Sequence, residues 1–175
     1  MSLSPEGDSI CGHGEFHDDL DLLRQIYFFS GLNPEALKIM AYLSCRQRFQ
    51  AGDYIFRQND DDGQAIYILK GRVQLLYENH APSPPIREYE AEQFLGGLSL
   101  LGKMRRLFSL KAATNTCCLV LTREKFSKAL EQYPAIMPVI LNAVTNRIRV
   151  WEQNFLLDTS TAQNELKDHI GVSLL

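Results

Sequence analysis

The sequence predicts a mainly β domain, a sandwich, barrel or roll, preceded by two short helices and followed by one long helix. Between Arg46 and Val120 the apolar positions alternate with a period of two, in short runs separated by Gly, Asn, Asp and Pro clusters. On both sides of that region the apolar positions recur at helical spacing instead. The 175 residues fit one domain with a helical appendage and are enough to bury a real core.

Residues 1–17 mix Gly, Ser, Asp and His with little periodicity and read as a flexible tail. From Asp18 the residues Leu20, Leu22, Leu23, Ile26 and Tyr27 define a first helix, which Phe28-Phe29-Ser30-Gly31 breaks. Asn33 is a good N-cap before Pro34, so a second helix is expected through Leu37, Met40 and Leu43. Strands are predicted at 46–49, 54–57, 65–70, 72–77, 86–89, 108–113 and 117–121. Lys70-Gly71-Arg72 reads as a tight reversal, and the prolines of His80–Pro85 bar that loop from a ladder. Thr122 caps a helix to about Gln132. Pro134 opens a last one, in which Ile140, Val144, Ile148, Trp151 and Phe155 follow at steps of 4, 4, 3 and 4. Over Pro138–Leu157 that helix is about 30 Å long. Its apolar face has to pack on the β-unit, on a second copy, or on both. These five residues are the expected homodimer interface. The organisation expected is thus a tail over 1–17, a β-roll with flanking helices over 18–137, and the long helix with a C-terminal tail over 138–175.

Composition excludes several function classes. With 45% hydrophobic and 22% charged residues the chain is neither disordered nor collagen-like. A formal net charge of −3 supplies no positive field for nucleic acid. No apolar run approaches the roughly 20 residues of a membrane span, and the opening Met1-Ser-Leu-Ser-Pro5 is unlike a signal peptide, so a cytoplasmic protein is expected. Cys11, Cys45, Cys117 and Cys118 form no framework spacing and are expected as free thiols.

Order and spacing together carry a resemblance over roughly residues 20–157. Its pieces are Phe28-Phe29-Ser30-Gly31-Leu32, then Phe49-x-x-Gly52-Asp53-x-Ile55-Phe56, Ile66-Tyr67 leading into Gly71-x-Val73, Phe94-Leu95-Gly96-Gly97-Leu98, and Lys125-Phe126 before Tyr133-Pro134. The chain resembles the cyclic-nucleotide-binding domain, and more specifically the sensor half of the catabolite activator and oxygen-sensing regulators. The resemblance implies a double-stranded β-helix, a jelly-roll-like β-roll, with two N-terminal helices and a long C-terminal dimerisation helix.

It also implies a phosphate-binding cassette. Backbone N–H groups around Gly96, Gly97 and Leu98 would meet a cyclic phosphate together with Arg106, beside Arg105. The family's ribose-binding Glu falls on Gly97, and its small hydroxyl after the arginine falls on Leu107, followed by Phe108. The base-contacting position falls on Trp151, which either stacks on a base or fills its place. Losing the ribose acceptor removes a charge-assisted hydrogen bond of about 1.5–3 kcal/mol. The expectation is therefore a regulatory domain with weakened or altered specificity, whose ligand is a cyclic nucleotide or another small anion. The alternatives are a ligand-free dimerisation module or a truncated transcription regulator, because residues 159–175 cannot hold a winged helix-turn-helix.

Other constellations read as structural. Cys11-Gly-His13-Gly-Glu15-Phe-His17 has no second ligand cluster, so no metal is expected. Asp60-Asp61-Asp62-Gly63 lacks the alternating ligands of a calcium loop and reads as a solvated hairpin tip. No catalytic set of Ser/His/Asp, Cys/His or His-x-His type occurs, so no enzyme is expected.

Overall fold

The computed structural model describes residues 16–78 and 84–158. Helix α1 (Phe16–Gln25), a single 3₁₀ turn (Tyr27–Phe29) and α2 (Pro34–Leu43) come first. Strands β1 (Cys45–Phe49), β2 (Tyr54–Phe56), β3 (Gln64–Lys70), β4 (Val73–Leu76), β5 (Arg87–Tyr89) and β6 (Phe94–Leu95) follow. After the short α3 (Leu98–Leu101) come β7 (Ser109–Ala112), β8 (Thr116–Thr122), α4 (Arg123–Gln132) and α5 (Ile136–Asp158). Residues 11–15 of the Cys11–His17 motif, residues 159–175 and most of the proline loop lie outside the described residues, as do the side chains of Phe16, His17 and Phe155.

The strands form two four-stranded antiparallel sheets, ordered β1-β8-β3-β6 and β2-β7-β4-β5. This is the β-roll architecture the alternation predicts. Neighbours in the sheets are rarely neighbours in sequence: Ile66 lies opposite Val120 and Leu75 opposite Leu110. The inward faces of both sheets, with Phe56, Ile68, Val73, Leu75, Leu110 and Val120, make one core. The outer face of β3 and β8 makes a second with the helices, through Phe28, Phe29, Met40, Leu119, Phe126 and Ile140. The β3–β4 reversal depends on Gly71, whose φ is +102°. A β-carbon there would stand 2.6 Å from Thr116 Oγ1 and 2.7 Å from the Asn115 carbonyl.

Asn33 caps α2 as expected, its side chain accepting from the Ala36 N–H at 2.8 Å. Helix α1 begins at Phe16, two residues into the expected tail. The last helix begins at Ile136, so Pro138 sits in its first turn, where the missing N–H has no intrahelical partner to lose.

Helix α5 corrects the expected interface. Ile140 is 0% exposed and Val144 is buried, both inside the core that holds Phe28 and Phe29, and Ile148 packs partly against it. The Arg147 guanidinium lies 5.2 Å from the centre of the Tyr27 ring. The first half of the apolar face thus covers this chain's own 3₁₀ turn and shares the core that holds Phe28 and Phe29. Among the described residues, Leu141 and Val150 are the large apolar residues of α5 that stay exposed.

A core position and a surface position on α5 should separate cleanly. Ile140→Ala is expected to lower unfolding free energy by about 2–5 kcal/mol in urea melts, whereas the exposed Glu152→Ala should change it by less than about 0.5 kcal/mol.

Candidate functional site

The site is built where β6, α3 and the segment before β7 meet the β2–β3 loop. Pairing of Tyr67 with Phe94 and of Ile66 with Leu95 holds β6 on the edge of β3. The chain then turns at Gly96, whose φ is +83°. A β-carbon on Gly96 would stand 2.7 Å from Arg106 Nη1 and 2.9 Å from the Gln64 carbonyl, so only glycine lets the arginine come this close. Gly97 and Leu98 open α3 directly after it.

Arg106 is 4% exposed, so it is no surface charge. Its Nε donates to Asp62 Oδ1 at 2.8 Å and its Nη2 to Asp62 Oδ2 at 3.1 Å. Nη2 also donates to the Gln64 carbonyl, and the guanidinium lies 4.1 Å from the centre of the Phe56 ring. The backbone is stitched to the same loop, with Asn59 N–H donating to the Arg106 carbonyl and Arg106 N–H to the Asp60 carbonyl, both at 2.8 Å. Nη1 is buried, faces Gly96 and has no hydrogen-bond partner among the described residues.

A second arginine grips the loop from the other side. Arg123, the first residue of α4, donates through Nε to the Ser99 carbonyl of α3 at 2.6 Å and through Nη2 to Asp61 Oδ1. Its own N–H donates to the Gly63 carbonyl. The expected solvated tip at Asp60–Asp62 is therefore corrected at Asp62, while Asp60 and Asp61 are exposed as expected. Asp62 is only 16% exposed, and Asp61 and Asp62 each hold an arginine. The arginine hydrogen bond keeps the Asp61 carboxyl below its ordinary 3.8.

The sequence-predicted residues separate into two groups. Gly96, Gly97, Leu98 and Arg106 come together as one cassette. Arg105 is exposed, and Leu107, 57% exposed, turns outward, so the residue after Arg106 does not put apolar bulk beside it. Phe108 leans on Tyr77, ring centres 5.9 Å apart. Trp151 sits on α5, half-buried. Asp62, Gln64, Phe56 and Arg123 were absent from the expectation, since the charge signal of the Asp run has its partners 44 and 62 residues further on. Cys118 is buried and its thiol pushed up to about 12, consistent with an inert core residue.

A profile of the cyclic nucleotide-binding domain matches residues 46–133, a span that includes both sheets, the cassette and Arg106. The chain belongs to the cyclic nucleotide-binding domain family. It is similar to the cAMP-dependent protein kinase regulatory subunit of Emericella nidulans, 31% identical over 117 residues, which are 66% of this chain and 27% of that protein. The type II regulatory subunit of Drosophila melanogaster is 26% identical over 111 residues, 63% of this chain and 28% of that one. The chain thus spans little more than a quarter of these relatives. Among solved structures, a cyclic nucleotide-binding-like protein from Brucella abortus is 27% identical with a TM-score of 0.60, over 65% of this chain and 98% of that one. A cyclic nucleotide-binding domain from Methylobacillus flagellatus has the same fold at 20% identity, with a TM-score of 0.69 over 95% of both chains. No helix among the described residues is long and apolar enough to cross a membrane.

Asp62→Ala should strand a buried guanidinium and cost about 3–5 kcal/mol of stability in denaturant melts. A loss below about 1 kcal/mol would show that the pair does not hold the loop. The acid dependence has a defined sign. A carboxyl held below its ordinary value adds stability above the ordinary carboxylate range, and that share is lost as pH falls through the depressed value. Asp61→Asn is expected to flatten this part of the stability profile between neutral and acid pH, with no effect on its alkaline side.

Proposed function

We propose that this chain is a non-catalytic, cyclic-nucleotide-binding-like regulatory domain whose cassette takes a small phosphate-bearing anion more weakly than a full cassette would. The observation that carries this reading is the buried Arg106, whose Nη1 faces the Gly96 turn with no hydrogen-bond partner among the described residues. An arginine this buried presents charge-assisted donors in a fixed orientation, which suits a phosphate. Two features lower its affinity. Asp62 already neutralises the cation and occupies two of its three nitrogens, and Gly97 has no side chain to accept from a sugar hydroxyl.

Binding would bias a pre-existing equilibrium of the helices packed around the cassette. Two of the relatives named above are regulatory subunits of a kinase. For this chain the partner is proposed only as a second copy, in a homodimer formed through the outward and distal part of α5, where Leu141 and Val150 are exposed. Its expected location is the cytoplasm.

Calorimetry with cyclic AMP, cyclic GMP and cyclic di-GMP up to millimolar concentration tests the ligand. Binding of at least one in the range of about 10 μM to 1 mM is expected, some 7 to 4 kcal/mol. Submicromolar cyclic AMP binding would overturn the weakened cassette. Light scattering at micromolar concentration should give twice the chain mass, and the mass of a single chain would overturn the dimer.

A further inference from the structure

The contacts around the cassette close into a ring. Arg123 Nε donates to the Ser99 carbonyl at 2.6 Å, and the Ser99 N–H donates to the Gly96 carbonyl at 3.0 Å. Gly96 faces Arg106 Nη1, Arg106 holds Asp62, and the adjacent Asp61 returns to Arg123 Nη2. The Nη1 that lacks a hydrogen-bond partner among the described residues therefore stands at the Gly96 link of this ring.

Local chemistry explains why Arg123 takes part. Helix α3 is a single turn, so its carbonyls have no intrahelical partners, and Ser99 is only 1% exposed. A carbonyl there needs a donor from elsewhere in the chain. Gly63 makes room for that donor: its φ is +60°, and a β-carbon on it would stand 3.1 Å from Arg123 Cζ and 3.2 Å from Arg123 Cβ. The Arg123 N–H in turn donates to the Gly63 carbonyl at 2.6 Å. Elsewhere the same turn rests on packed rings. A β-carbon on Gly97 would stand 2.8 Å from Phe94 Cε1 and 2.9 Å from Phe28 Cδ2. The Phe28 ring packs in turn on Phe29, Phe94 and Phe126, and Tyr27 meets Phe94 at 6.2 Å. Five rings and one guanidinium thus define where α3 sits.

We infer that Arg123 is a positioning residue of the cassette: by holding the Ser99 carbonyl and the Asp61 carboxylate with one rigid fork, it sets where the Gly96 turn stands relative to Arg106 and so sets the anion affinity of the site. This rests on the anion-binding reading above. The planar guanidinium is what the role needs. Its Nε and Nη2 reach acceptors on two different elements in one fixed geometry, whereas a lysine ammonium is a point charge on a flexible stem. A lysine at this position keeps the charge beside Asp61 and loses the fixed span from the acidic loop to α3. Neutralising Asp61 is thus separable from positioning α3.

Hydrogen exchange and calorimetry on the full chain test this. In Arg123→Lys the amides of Ser99, Leu100 and Arg106, which bond to the carbonyls of Gly96, Gly97 and Asp60, should exchange about tenfold faster or more. The amides of β3 and β8 should change by less than about twofold. Asp61→Asn, at an exposed carboxylate, should speed the same three amides by about threefold or more without unfolding the chain. Lys128→Ala on the same helix removes only an exposed pair with Glu124 and should leave both sets at their natural rates. In calorimetry with the tightest binder among cyclic AMP, cyclic GMP and cyclic di-GMP, Arg123→Lys should bind roughly tenfold more weakly or worse, the worth of one charge-assisted hydrogen bond, and Lys128→Ala within about twofold of the natural protein.

Natural exchange rates at Ser99, Leu100 and Arg106 in both Arg123→Lys and Asp61→Asn would overturn the positioning role. So would an acceleration in β3 and β8 as large as that in α3, which is the mark of a general loss of stability. Faster exchange in α3 with an unchanged affinity would overturn it as well. Binding of none of the three nucleotides by the natural protein would overturn the anion-binding reading and the positioning role with it, while the exchange rates decide by themselves whether Arg123 holds α3.

Discussion

The bidentate pair between Arg106 and Asp62 is the contact on which the arrangement of the site depends. A guanidinium that buried has to be neutralised and hydrogen-bonded where it lies, since an unpaired buried charge costs several kcal/mol. Asp62 supplies the charge, the Gln64 carbonyl a further acceptor and Phe56 an aromatic face. Satisfying the arginine this way draws the β2–β3 loop onto the segment before β7 and brings both against the Gly96 turn. Arg123 repeats the device from α4, so that the acidic loop is held by two cations, one of which also grips α3 through the Ser99 carbonyl.

The other side of α3 is held by different physics. Close packing of five aromatic rings leaves no space at Gly97, and α5 closes over the same 3₁₀ turn through Ile140, Val144 and Arg147. Packed interiors respond to a change of volume as a unit, because side chains at crystal-like density cannot yield singly. A ligand that pulls on the Gly96–Gly97 turn therefore works against the rings under it, and those rings also seat the long helix. Ionic clasp and aromatic wedge meet at two consecutive glycines, which is why neither position tolerates a β-carbon.

Much of the fold was legible in the residues. The switch of apolar period from helical to two and back placed every strand to within a residue or two except the short β6, and Asn33, Gly71 and Thr122 marked their turns by local chemistry. The segment Phe94–Leu98 and Arg106 could be read as a cassette only through the resemblance to the family, whose motif is compact in the chain. What was misread involved distance. The heptad-like face of α5 reads the same whether it meets a second copy or its own core. The Asp60–Asp62 run reads as solvated because its arginines are far along the sequence.

By itself, then, the sequence determined the periodicity, the caps and the turn glycines, since each of these is a property of neighbouring residues, whereas the cassette was read through the resemblance to the family. Only the tertiary structure decided that Arg106 is buried and paired with Asp62, that Leu107 faces out, that Ile140 and Val144 belong to this chain's own core, and that Gly97 is glycine for want of space. Those facts depend on which distant segments share a volume. A one-dimensional pattern records what a residue prefers, whereas packing records which neighbour is already there.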